Sequence, residues 1–234
     1  MIARIVLAGA LAAAAAPAPA ADFGSLGRLS QGEFRSLAED LGAAFAYKGV
    51  APAAGLGVLG LDVGLEVTDT RLAHGALFER AGEGGHSDLV VAKVHVRKGL
   101  PGGIDIGAFA GVPSSFGAAL FGADLGVALL RDSLATPAVA LRLSGTRATG
   151  TGNVRVSTAA IDAMVSKGFT AITPYAGAGV VRVMARGAGF GDESFDRGRA
   201  FAGIDLNLAA VDLAFEAEKM GGTHCLSAKL GLRF

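Results

Sequence analysis

Titratable residues fall on one parity of a series of alternating stretches: Asp62 and Glu66, Lys93, His95 and Arg97, then Asp105, Asp124, Arg142, Asp162, Arg182, Asp205, Asp212 and Glu216, and last Lys229 and Arg233. Three kinds of chemistry suit such a set. A histidine beside carboxylates is general acid–base apparatus. A lining of mixed sign is a polar path for a small solute. The same charges can also pair with one another and fill a narrow interior, because an unpaired charge in low dielectric is costly. The mixed signs favour pairing, and the spacing says where. Arg97 is expected beside or diagonal to Asp105 across the turn at 98–103. If the two ends of the chain pair antiparallel, Arg233 comes near Asp62 and Lys229 near Glu66.

Catalysis has thinner support. His74 and His86 share a loop with Glu79, Glu83 and Asp88, His95 lies in a strand and His224 opens the last one. No Ser-His or His-x-x-His spacing appears, so no catalytic residue, metal ligand set or cofactor is assigned. The glycines of "GLGVLG" (55–60) precede a strand and no helix follows, which removes the dinucleotide-binding context. Cys225 is the single cysteine and has no disulfide partner.

These residues are held by strands. Period-two stretches run through 59–69, 89–98, 104–110, 121–130, 138–146, 158–166, 175–185, 201–208, 211–218 and 224–234, with aliphatics on one parity and glycine, small residues and charges on the other. About ten strands follow (twelve being the alternative count), and their connections alternate. Those at 98–103, 131–136, 166–170 and Ala209–Ala210 are short. Those at 70–88 and 186–198 are long and charged, and those at 111–117 and 149–153 are intermediate. Short turns at one end and longer loops at the other suit a closed up-and-down antiparallel barrel crossing a membrane. Before the strands, Phe34, Leu37, Ala38, Leu41, Ala44 and Phe45 recur at helical spacing, and Ser30 with Glu33 forms a capping box. An amphipathic helix is predicted over about 31–46, despite Gly42.

The chain has 234 residues, 51% of them hydrophobic, with 36 glycines and no tryptophan. Its mean hydropathy is +0.48. Lysine plus arginine equals aspartate plus glutamate at 21 each, which gives no electrostatic case for nucleic acid. Arg4, the apolar run "IVLAGALAAAAA" and the small residues Ala18–Ala20 read as a cleaved signal peptide over 1–20. Residues 21–56 then form an N-terminal segment carrying the helix, and 57–234 the barrel.

In hydrocarbon only helices and closed barrels satisfy their backbone, and an aliphatic outer parity costs nothing there. The closing stretch "LSAKLGLRF" alternates Leu230 and Leu232 with polar residues and finishes on Phe234. It resembles the C-terminal signal of small Gram-negative outer-membrane β-barrel proteins. That resemblance implies residence in the outer membrane, contact with its lipid, and recognition of Leu230, Leu232 and Phe234 by the barrel-assembly machinery. Phe121, Tyr175, Phe215 and Phe234 are the expected interfacial aromatics. The expected role is structural or envelope interaction around a narrow charged lumen. A small-solute channel is the second class, and a lipid- or peptide-hydrolysing enzyme the third. A helix inside the lumen would mean a plug, and one outside a contact surface.

Overall fold

The alternation is realised as ten strands among the described residues: β1 Leu61–Arg71, β2 Asp88–Leu100, β3 Ile104–Pro113, β4 Ala119–Leu130, β5 Ala138–Thr149, β6 Val154–Ser166, β7 Ile172–Gly187, β8 Glu193–Leu208, β9 Val211–Met220 and β10 Thr223–Arg233. The computed structural model describes residues 23–114 and 117–234, so the expected signal peptide lies outside the described residues. Each strand pairs antiparallel with its sequence neighbour, and β10 pairs with β1 to close the barrel. The closure runs from Asp62↔Arg233 to Arg71↔His224. Below it, Leu61 and Phe234 exchange both backbone hydrogen bonds at 2.9 Å.

Strands of ten to sixteen residues are long enough to cross hydrocarbon at the usual tilt. Their outward parity is apolar around the wall: Val63, Val67, Val94, Val96, Ile106, Leu125, Leu143, Ile161, Val180, Ile204, Phe215 and Leu232 are exposed. In water such a belt is an aggregation surface; against acyl chains it is the natural solvent contact. No helix among the described residues is long and apolar enough to cross a membrane.

The expected alternation of loop length is realised only by β1–β2: at its end of the barrel, the long-loop end, β3–β4, β5–β6, β7–β8 and β9–β10 are joined by two to five residues, and at the other, the short-turn end, β2–β3, β4–β5, β6–β7 and β8–β9 are joined by two to seven. There Ala209 takes φ +66° in a two-residue reversal, the left-handed conformation such hairpins demand. At the opposite end the β1–β2 loop carries a short helix, α2 (Ala76–Arg80). Strands β7 and β8 reach further toward this long-loop end than their alternation suggests. Much of the loop expected at 186–198 is strand, because the glycines and charges there sit on paired backbone.

The N-terminal segment lies inside the barrel. Helix α1 (Gln31–Phe45) starts at the long-loop end, where Ser30 and Glu33 form the capping box in full. It then descends the lumen with Phe34, Leu37, Ala38, Leu41, Ala44 and Phe45 buried. They meet an apolar lining of Leu89, Val91, Val154, Val156, Val181, Val183 and Ala185. Gly42, which weakens the helix in isolation, is required by this packing: a Cβ there would lie 2.6 Å from Val183 Cγ2. Beyond the helix, residues 46–56 form an extended strap through the lower lumen, leading to β1. The lumen therefore has two zones, apolar around the helix and charged around the strap. The lumen parity read from the sequence, glycine, small residues and charges, does not show this division.

Candidate functional site

The lower lumen holds the charge network, and the strands bring its members together by register. Asp62 sits at its centre. Its carboxylate receives Lys229 Nζ at 2.6 Å, Arg233 at 3.3 Å and His95 Nε2 at 3.2 Å. Arg233 also reaches Asp205 at 3.4 Å, and Lys229 reaches Asp212 at 2.9 Å. The expected approach of Arg233 to Asp62 and that of Arg97 to Asp105, at 3.8 Å, are both present.

Lys229 meets Glu66 by register, as expected, but not by an ion pair. It lies directly opposite Glu66 in the β1–β10 register, but its ammonium bonds Asp62 and Asp212 instead. Glu66 already holds Lys93 at 2.6 Å and His95 Nδ1 at 2.7 Å. Both ring nitrogens of His95 face carboxylates, and only 3% of the residue is exposed.

A second group surrounds Arg97, whose Nε lies 3.3 Å from Asp124. Tyr47 of the strap donates its hydroxyl to Asp124 at 2.8 Å. The strap's Leu56 N–H donates to Asp105 at 3.2 Å. Arg142 lies over the Tyr47 ring at 5.7 Å and the Phe201 ring at 5.9 Å, with the backbone of Gly49 packed on its guanidinium.

The third group is built on a residue the sequence reading passed over. Arg199 forms a two-pronged bond to Asp162 at 2.7 and 2.5 Å. It also donates to the Tyr47 carbonyl at 2.6 Å and lies 3.4 Å from Glu218. Lys48 donates to the carbonyl of Ala43 at 2.6 Å and lies 3.7 Å from Glu218. Lys93 donates to the Lys48 carbonyl at 3.0 Å. The strap thus completes the network. Arg199 shares the parity of Phe201 and Asp205 but lies outside the alternating stretch 201–208, since the strand begins eight residues earlier, at Glu193. Tyr47 and Lys48 are the polar residues of an otherwise apolar stretch, the signal by which they could have been found. Glu216, close to Tyr175, is also buried in the lumen wall.

Two assignments need correction. Arg182 does not face the lumen; it projects outward and holds Asp196 through two bonds of 2.8 Å. The run "VVRV" is apolar on both parities, and the helix takes Val181 and Val183 as its inner contacts, which leaves Arg182 outside. Tyr175 is 4% exposed and points inward, so it belongs to no interfacial girdle; Phe121, Phe215 and Phe234 do face outward.

At the long-loop end the plug is tethered to the rim. Arg80 of α2 pairs with Glu33. Gln31 donates to Glu193 at 2.5 Å, Arg35 meets the same carboxylate at 3.0 Å, and Arg197 pairs with Glu39. Asp40 accepts from the N–H groups of Ala73 and His74 at 3.2 and 2.6 Å. The capping bonds of Ser30 and the guanidinium of Arg80, the larger effect, hold the Glu33 carboxyl down at about 2.

A closed up-and-down barrel with an apolar outer wall and a lumen occupied by its own N-terminal segment defines the class: a ten-strand barrel of the outer-membrane architecture. No family model and no curated protein matches the chain. Solved structures similar to it are outer-membrane β-barrel proteins. LpxR from Salmonella typhimurium is 8% identical with a TM-score of 0.41, over 72% of this chain and 99% of that one. KdgM porin is 4% identical at 0.39, over 75% and 99%. Neisserial surface protein A is 10% identical at 0.36, over 75% and 96%. Likeness at this level assigns no activity.

Proposed function

We propose that the protein is an integral outer-membrane barrel with a structural or envelope-interaction role, closed to solutes in its resting state by its own helix and strap. The observation that carries this reading is the seating of residues 31–56 in the lumen. The helix fills the apolar zone, and the strap's Tyr47, Lys48 and Leu56 engage the charged one. One cavity between the strap and the β3–β6 wall is about 10 Å³, room for no more than one water. A solute path would need the strap withdrawn and its hydrogen bonds broken together.

Planar-bilayer recording of the purified full-length protein tests the reading directly. Silence across the voltage range is expected; steady, discrete conductance steps from the unaltered protein would sink it. Leu230, Leu232 and Phe234 are proposed as the contact for the assembly machinery. Phe234→Ala is then expected to lower the yield of folded barrel in membranes while leaving the folded fraction's heat-modifiability intact.

A further inference from the structure

We propose that the outer wall of β4–β7, at the long-loop end, binds the phosphate-bearing headgroup of an anionic membrane lipid; the proposal rests on the membrane reading above. Register places the residues. The apolar belt reaches Leu143, Ile161 and Val180, which lie in one row across β5, β6 and β7. Two rows higher come Phe121, Arg147, Ser157 and Met184. In the next row Arg155 stands directly opposite Arg186. All three arginines are exposed, and together with Phe121, Ser157 and Met184 they line a groove of about 980 Å³.

Like charges facing each other across a ladder are destabilising, and adjacent strands lie only about 4.8 Å apart. Asp192 meets Arg186 at 2.8 Å. Arg147 and Arg155 have no carboxylate partner among the described residues, and Glu193, the other carboxylate of the groove, is taken up by Arg35, so the patch keeps an excess of positive charge. A guanidinium fork matches phosphate oxygens two at a time, and an anion between the strands would turn the Arg155–Arg186 repulsion into shared attraction. The source of that anion follows from what lies below it. Gly145 and Ser157 keep the groove floor low between Phe121 and Met184; the row below, Gly145, Ala159 and Arg182, the last held by Asp196, joins it to the aliphatic row through its two small residues. A phosphate at the arginines therefore has its acyl chains at the hydrocarbon contact, an arrangement a free anion has no use for.

Full-length protein in phosphatidylcholine nanodiscs carrying a minor fraction of phosphatidic acid provides the test, with retained lipid counted by native mass spectrometry. The unaltered protein is expected to keep at least one phosphatidic acid. R147Q/R155Q should retain about tenfold less, and K219Q, an exposed charge on β9, should match the unaltered protein. Unchanged folding of each variant is read from heat-modifiability, and R147K/R155K, which keeps charge without the fork, should fall between. Equal retention by R147Q/R155Q overturns the proposal, as does equal loss in K219Q. Displacement of the lipid by millimolar inorganic phosphate alone would show a free-anion site and overturn it too. Protein that never enters the bilayer overturns the membrane reading and this proposal with it, whereas protein that inserts but retains no lipid overturns this proposal alone.

Discussion

Asp62 accepts from Lys229, Arg233 and His95 and is fully buried, so its substitution reports on the whole network. Asp62→Asn keeps the volume and removes the charge, leaving Lys229 and Arg233 under-compensated. Loss of one partner from a buried ionic cluster costs about 3–5 kcal/mol. The midpoint of urea unfolding from detergent should fall accordingly, and an unchanged midpoint would mean the charges are screened by water after all. Glu33 sets a pH limit at the rim. Its carboxyl is held at about 2 from an ordinary 4.5, so its contribution to tethering the plug is complete above 4.5 and is lost as pH falls through about 2. Hydrogen exchange of the amides at 31–36 should stay slow down to pH 4 and quicken below 3. In Glu33→Gln the exchange should be faster at neutral pH and the acid step absent.

At the scale of elements, α1 is stable where it lies because the lumen around it is apolar. Leu37 and Leu41 are fully buried between the helix and the wall. Truncating either to alanine should cost about 2–5 kcal/mol, read as protease access to the strap before the barrel itself unfolds. Gly42→Leu should dislodge the helix more completely, since Val183 already occupies the space a side chain needs. The β8–β9 reversal offers the opposite sign. Ala209 holds φ +66°, a conformation that costs a side-chain-bearing residue about 1–2 kcal/mol. Ala209→Gly should therefore raise the thermal midpoint without altering the plug. Sequence reasoning reached these elements unevenly. Alternation located the strands because one wall solvent is hydrocarbon, and the capping box located the helix. The upper reaches of β7 and β8 escaped, since their glycines and charges look like loop when no neighbour is in view.

For the molecule as a whole, the separation of the lumen into an apolar and a charged zone links fold to function. Here the helix packs on the apolar wall in one half and the strap bridges charges in the other, so the closure proposed above rests on two different kinds of contact. Combining Gly42→Leu with Tyr47→Phe should loosen both, and discrete conductance steps absent from the unaltered protein are the expected outcome in bilayers.

The sequence by itself determined the barrel, its approximate strand number, the outward aliphatic parity and the inward position of most of the charges. Alternation is a local property, and it survives whatever the neighbours are. Only the tertiary structure decided which charge meets which, that Lys229 passes Glu66 for Asp62 and Asp212, that Arg182 lies outside, and that the helix sits within. Those outcomes depend on the width left by ten strands and on side chains arriving from distant segments. Where two valines adjoin, as at Val180 and Val181, periodicity is silent and the packing partner chooses the face.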